Sequence, residues 1–372
     1  MKIRDVRTIG LRVILPKIFE GGTYRVTERA TIITEIVTDD GVVGRMFTTD
    51  TKGDAQTQVR AAIENELKAE AIGEDLFAPE RIWQKMFRHA AAEPRRLTIL
   101  MDAVSAIDTA IWDGIGKVTG QPVYKLWGGY RDSVPIIAIA GYYEEGKGVE
   151  ALTEEMIWLR EQGMGGVKMK VGRYSVDEDI ERFAYCRRGV DSSFRIAADA
   201  NRAWTTQDAI RFARGASEHD LEWLEEPLQW NNEIVGMRRV REVTGVKTTA
   251  GQSVRSAAQV RDLVDGQAID YCNVDASHAG GPTEWRRAAS YCALHDVKMA
   301  HHEEPILAMH LLASVPNGGP VECFPNPARD PLWATLIANR PRIHDGFIDL
   351  PTSPGFGIEF DEDVIDRHNV DE

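Results

Sequence analysis

The sequence predicts an α/β protein: a modified (β/α)8 barrel preceded by an N-terminal α+β capping domain. Three observations carry this. From about residue 134, short apolar runs alternate with amphipathic stretches, eight runs separated mostly by 20–30 residues, which is the spacing of β/α units in a closed parallel barrel. Before that point the order differs. Alternating segments rich in Val, Ile and Thr (2–14 and 29–48) come first, and helix-like segments (54–72, 79–91 and 98–119) follow, which reads as α+β. Finally, no glycine-rich phosphate fingerprint follows the first run of the barrel region, which argues against a doubly wound sheet.

In chain order, IRDVRTIGLRVI and RATIITEIVTDDGVVGRMF read as strands, with Asp40-Gly41 as a hairpin turn. The barrel runs are VPIIAIAGYY (134–143), GVKMKVG (166–172), FRIAADAN (194–201), LEWLEEP (221–227), VKTTAGQS (246–253), AIDYCNVDA (268–276), VKMAHH (297–302) and PVECF (320–324). Between them lie helix-like stretches such as SVDEDIERFAYCRRG and TTQDAIRFARGAS. After about 325 the periodicity stops, and DGFIDLPTSPGFGIEFDED returns to strand-and-turn character that would pack back on the first domain. The predicted division is a capping domain over 1–125, a barrel over 126–328 and a returning segment over 329–372.

The bulk numbers narrow the function. Against 44 basic residues stand 58 acidic ones, a net charge of −14 with histidines neutral, which excludes nucleic acid and an anionic membrane as default partners. The four cysteines are far apart with no C-x-x-C pair, as expected of reduced thiols rather than a disulfide framework. The start lacks the apolar core of a signal peptide, and no apolar run reaches the length of a membrane span. A soluble, cytoplasmic protein is expected.

The strongest signal is what the runs carry at their C-terminal ends, where a β/α barrel places its chemistry. Lys168 and Lys170 end the second run, Asp199 and Asn201 the third, and Glu225 and Glu226 the fourth. Gln252 ends the fifth, Asn273 and Asp275 the sixth, His301 and His302 the seventh, and Glu322 lies in the eighth. Each has a bland explanation. Asp199 suits a helix cap, Glu225-Glu226 a charged loop start, His302 a surface loop, and a strand lysine usually snorkels. Taken singly, most of these explanations win. Taken together, at one end of seven successive runs, they lose, because burying so many ionisable groups without partners or metal is very costly.

Asp199 and Glu225 stand on adjacent runs with Gln252 next, and hard oxygen ligands of this kind suit Mg²⁺ rather than zinc. Mg²⁺ beside two lysines makes a positive pocket for a small carboxylate, and such a pocket stabilises the enediolate formed when the α-proton is lost. Lys168 is expected to lower the pKa of Lys170 toward that of a usable base. His302, well round the barrel, would work on the opposite face, oriented by Asp275. His301 and His302 point opposite ways in a strand, so only one of them belongs to the site.

At this point the residues resemble the enolase superfamily, and within it the mandelate racemase subgroup, over nearly the whole chain. SAIDTAIWDGIGKVTGQPVYKLWGG (105–129) is similar to the family's junction between cap and barrel, VKMKVG to its K-x-K motif, ADAN and LEEP to its metal-ligand segments, and PGFGIEFDED to its closing strand. The resemblance implies Lys170 as a base and Lys168 as its carboxylate-gripping neighbour. It implies metal ligation by Asp199, Glu225 and Gln252, an Asp275–His302 dyad, and Glu322 as an electrophile toward the substrate carboxylate. One position departs: the family usually has glutamate where this chain has Gln252, which implies a weaker metal site and leaves a binding-only relative as an alternative. The implied reaction is Mg²⁺-dependent proton abstraction α to a carboxylate. Dehydration of a sugar acid comes first and racemisation of an α-hydroxy acid second, while cycloisomerisation of muconate-type substrates is disfavoured by His302. A homo-oligomer is expected. Substrate choice falls to the cap. Its glycine-rich loop IFEGGTYRVTERA (18–30) looks like a mobile lid carrying Phe19, Glu20, Tyr24 and Arg25, helped by the loop TTDTKGD (48–54) and by Tyr142 and Tyr143 at the end of the first barrel run.

Overall fold

The computed structural model describes residues 1–48, 50 and 53–371, with the side chain of Trp230 left aside. Thr49, Thr51 and Lys52 of the second lid segment therefore lie outside the described residues. The chain begins with an antiparallel meander of β1 (Ile3–Glu20), β2 (Arg25–Thr38) and β3 (Val43–Thr48). One continuous helical run follows, made of α1 (Asp54–Ala62), a π turn and α2 (Lys68–Ala71). Then come α3 (Pro79–Ala92), α4 (Leu97–Thr119) and the short α5 (Val123–Leu126). The apolar helix α4 is buried along most of its length and packs on β2, β3 and α3.

The segment 18–30 is not a loop. β1 runs to Glu20 and β2 starts at Arg25, with Phe19 paired to Val26 and Glu20 to Arg25, so only residues 21–24 form the turn. The reason is burial. Phe19 and Val26 sink into a cluster with Tyr142 and Phe324 of the barrel, and backbone hydrogen bonds join Glu20 to Tyr143 in both directions. Gly22 presses so closely on the ends of two barrel strands that a Cβ there would lie 2.5 Å from the Val171 carbonyl oxygen, so only glycine fits the tip.

The barrel strands are β4 (Ser133–Ala140), β5 (Gly166–Lys170), β6 (Arg195–Asp199), β7 (Leu221–Glu225), β8 (Thr248–Ala250), β9 (Tyr271–Cys272), β10 (Lys298–Met299) and β11 (Val321–Cys323). They are parallel and neighbour each other in chain order; β11 returns to β4, and a bridge from Met299 to Gly318 closes the ring. Helices α6 (Glu150–Glu161), α7 (Val176–Arg188), α8 (Thr206–Ser217), α9 (Glu233–Thr244), α10 (Ala257–Asp265), α11 (Gly281–Leu294) and α12 (Pro305–Ser314) follow the first seven strands. Capping boxes at Ser175/Glu178 and Thr205/Asp208 start α7 and α8, as their sequences dictate. The eighth strand has no full helix, only α13 (Pro331–Thr335), and this is the modification of the barrel.

The tail divides. The hairpin β12 (Ile343–His344) and β13 (Phe347–Asp349) adds antiparallel to the start of β4, whereas α14 (Glu362–His368) leads to Val370, whose N–H bonds the Gly10 carbonyl of β1. One hydrophobic core runs from Leu11, Ile33, Met46 and Phe47 of the meander into the barrel's outer wall and on to Val364 and Ile365. Inside the barrel, Ile137, Ala197, Trp223 and Tyr271 form a separate apolar floor. The site stands on that floor.

Candidate active site

Strand register builds the first half of the site. Lys170 pairs with Asp199, and Asp199 with Glu225, so three charged side chains point inward at one level. Asp199 and Glu225 lie two residues beyond Ala197 and Trp223 of the floor and so share its face. Lys170 Nζ lies 2.6 Å from Asp199 Oδ2. Lys168 Nζ, below it, lies 2.6 Å from both Glu225 Oε1 and Glu322 Oε1 and 3.9 Å from Asp199. Asp199 also accepts hydrogen bonds from the Asn201 backbone N–H (2.9 Å) and side-chain amide (3.0 Å).

Two ammonium groups thus face three buried carboxylates, and the deficit falls on Glu225. Burial pushes its carboxyl up to about 8 in spite of Lys168. Burial also works against the charge on each lysine, but the carboxylates outweigh it. Glu225, Glu322 and Asp199 raise Lys168, and Asp199 raises Lys170 well above the usual lysine range. The expected downward tuning of Lys170 by Lys168 is not what these contacts give, because the dominant neighbour of Lys170 is Asp199, which raises it.

The second half lies past the ends of β9 and β10. His302 Nδ1 is 3.1 Å from Asp275 Oδ2, and Asp275 Oδ1 accepts from the backbone N–H and hydroxyl of Ser277 (2.8 and 2.6 Å). His301 points away, as the alternation requires. Its Nε2 accepts the Ala276 N–H at 3.0 Å, which assigns the ring proton to Nδ1, beside the carbonyls of His302 and Glu303. His278, which the sequence reading missed, has Nδ1 2.9 Å from Asp102 of α4 and Nε2 3.9 Å from Asp275. Burial opposes the charge on Asp275, yet His278, His302 and His301 hold its carboxyl far below the usual range.

The same contacts make His278 a cation at neutral pH. Burial lowers its pKa, but Asp102 and Asp275 lift it to about 9. A group raised in this way stabilises the fold fully below its ordinary 6.5 and loses that contribution as pH rises through the folded value. The Tm advantage of the wild type over His278→Asn should therefore be largest in weakly acidic solution and close as pH climbs through about 9. A gap that stays constant with pH would show that the charge is not its source.

Between the two halves opens a cavity of about 580 Å³. Of the residues the sequence nominated, Lys170, Asn201, Gln252, Asp275, His302 and Tyr24 line it. Lys168, Asp199, Glu225 and Glu322 lie buried beneath. Tyr142 stands behind Lys170, whose Nζ is 5.9 Å from its ring centroid. Two nominated residues are placed elsewhere. Tyr143 turns outward to give its hydroxyl to Asp179 at 2.5 Å and to cover Arg182, because adjacent strand residues face opposite ways. Glu20 pairs with Arg25 and Arg173 outside the cavity. Besides His278, the cavity takes in Arg202, Arg255, Glu303, Glu304 and Arg329, none of them foreseen. Among the described residues, five of the nine non-glycine residues with left-handed backbone are Asn201, Arg202, Glu226, Glu303 and Glu304. Backbone strain of this kind gathers at functional loops.

Comparison with known proteins gives the family. Residues 150–364 match the family model described as enolase C-terminal domain-like. Residues 16–128 match the mandelate racemase / muconate lactonizing enzyme N-terminal domain. The chain belongs to the enolase superfamily. Among its superfamily relatives, 3,6-anhydro-alpha-L-galactonate cycloisomerase of Streptomyces coelicolor is 30% identical over 98% of this chain and 99% of its own. L-talarate/galactarate dehydratase of Salmonella typhimurium is 31% identical over 93% and 84%. A crystal structure of a mandelate racemase/muconate lactonizing enzyme from a marine actinobacterium in complex with magnesium is 39% identical, covers 99% of both chains and superposes with a TM-score of 0.92.

The donor set of this superfamily member suits a magnesium ion. Asp199 and Glu225 offer hard oxygens on neighbouring strands, Gln252 brings an amide oxygen to the cavity, and neither histidine nor cysteine stands among the three. No trio of His, Cys, Asp or Glu forms a metal-binding group among the described residues. The raised pKa of Glu225 marks a place where one more positive charge is wanted. Among the described residues, no helix is long and apolar enough to cross a membrane.

Proposed function

We propose that this enzyme takes the proton α to the carboxylate of a sugar acid and eliminates the β-hydroxyl as water, giving a 2-keto-3-deoxy acid. The observation that carries this reading is the placement of Lys170 and the Asp275–His302 pair on two sides of one cavity above the buried Asp199 and Glu225. Asp199, Glu225 and Gln252 would hold magnesium, which supplies positive charge beside the substrate carboxylate and eases a further negative charge there. Lys168 draws the carboxylate to that side. Lys170, released from Asp199 and having given up its ammonium proton to solvent, accepts the α-proton as a neutral amine. Burial works against a charged His302, but Glu303 and Asp275 raise its pKa, so it is set to give a proton to the leaving hydroxyl. The electrons of the Cα–H bond pass first to the carboxylate, giving an enediolate, and then into a Cα–Cβ double bond as the Cβ–O bond breaks; the enol becomes the keto acid, and the only by-product is water.

A second reading is racemisation or epimerisation, in which His302 returns a proton to the opposite face of Cα. The same two-sided placement supports it, since a dyad that protonates a hydroxyl also reaches carbon. The test is incubation with Mg²⁺ in D2O and a panel of aldonic, aldaric and uronic acids. Release of a 2-keto acid is the expected result. Deuterium entering at Cα without keto product would select the racemase or epimerase, and neither signal from any acid would leave a binding-only relative.

A further inference from the structure

Three arginines are buried among the described residues: Arg29, Arg182 and Arg329. Two of them are balanced. Arg29 lies 3.1 Å from each of Asp50, Glu303, Glu304 and Asp330, and Arg182 lies 2.9 Å from Asp179. Arg329, 2% exposed, has no carboxylate within ion-pair distance among the described residues. Its Nε–H donates to the Tyr142 hydroxyl at 3.1 Å, and its guanidinium lies over the Phe324 ring, 4.0 Å from the centroid. Its Nη1 is buried with no hydrogen-bond partner among the described residues. A permanently charged group so placed is costly unless an anion completes it.

The anion has a route in. Arg329 lines the cavity that holds Lys170 and His302. Lys170 and Arg329 flank the same phenol ring, 5.9 and 5.4 Å from its centroid, so the two ends of one short chain can meet both. The acids nearest Arg329 in the fold, Glu303 and its neighbour Asp330, are drawn to Arg29. We propose that Arg329 receives a second, distal carboxylate of the substrate, which makes the enzyme's acids dicarboxylates of the aldarate type rather than aldonates. The guanidinium fork suits a carboxylate in a way that a neutral hydroxymethyl terminus cannot match. This rests on the reading that the α-carboxylate is held at the Lys168–Lys170 side.

The experiment compares aldarate and aldonate pairs of matched configuration with wild type, Arg329→Gln and Arg329→Lys. Wild type should prefer the diacid by about 100-fold in kcat/KM, and Arg329→Gln should erase that preference by losing the diacid alone. Arg329→Lys should keep part of it. Equal use of both acids by the wild type, or equal loss of both in Arg329→Gln, overturns the proposal while leaving the chemistry intact. A binding arm needs no turnover: calorimetric titration of metal-free protein with hexanedioate and with hexanoate. Tighter diacid binding that disappears in Arg329→Gln supports the subsite even if no acid is processed, an outcome that would fell the reaction instead, and equal binding overturns the subsite. Should Arg329→Gln fail to fold, the wild-type preference and Arg329→Lys decide.

Discussion

Lys170→Met is expected to abolish turnover, with kcat lower by about 10³-fold or more and with α-proton exchange in D2O lost as well. The substitution keeps the volume of the side-chain stem and removes only the ammonium. Its effect on stability separates chemistry from packing. Without metal, Asp199 loses its 2.6 Å partner and retains Asn201 and the more distant Lys168, and breaking a buried pair in this way costs about 3 kcal/mol or more. Mg²⁺ at saturating concentration would return a positive charge to Asp199, so the Tm difference from wild type should narrow while activity stays absent. A variant that still exchanges the α-proton would remove Lys170 from the proton transfer.

His302→Asn should behave differently. Formation of keto acid should fall by about 10³-fold, the usual range for a lost general acid, while exchange of the α-proton continues through Lys170. The asymmetry arises because the two groups belong to separate networks. Lys170 is tied to Asp199 and His302 to Asp275, so removing one leaves the other in place. Loss of both signals in His302→Asn would mean that the elimination is concerted and that proton removal never runs ahead of hydroxyl departure.

The barrel and its charged rim were legible because strand alternation and strand-end chemistry are local. Lys168 and Lys170 share a face two residues apart, and Asp199 and Glu225 fall level with Lys170 through parallel register. What the sequence hid depends on distance in three dimensions. The hold of Asp199 on Lys170 spans 29 residues and reverses the expected direction of the lysine's pKa. Arg329 comes from an aperiodic stretch after β11, where no pattern marks which side chain turns inward. His278 gains its charge from Asp102, 176 residues away on the capping helix α4. Tyr143 is different: adjacent residues at a strand end cannot both face the cavity, so its outward turn was implicit beside Tyr142. Likewise the supposed lid loop is paired as strands nearly to its tip, with one irregularity of register before Phe19 and an open turn over Gly21 to Tyr24.

The core that runs unbroken from Leu11, Ile33, Met46 and Phe47 through the barrel wall to Val364 and Ile365 bears on how such an enzyme changes its substrate over evolutionary time. A capping module joined by a thin, polar seam can be traded between relatives as a cassette. Here the seam is the interior itself, and a foreign cap would arrive with the wrong half of a packed surface. A change of specificity is then easier to reach by point changes at the rim loops, one side chain at a time, than by replacing the cap.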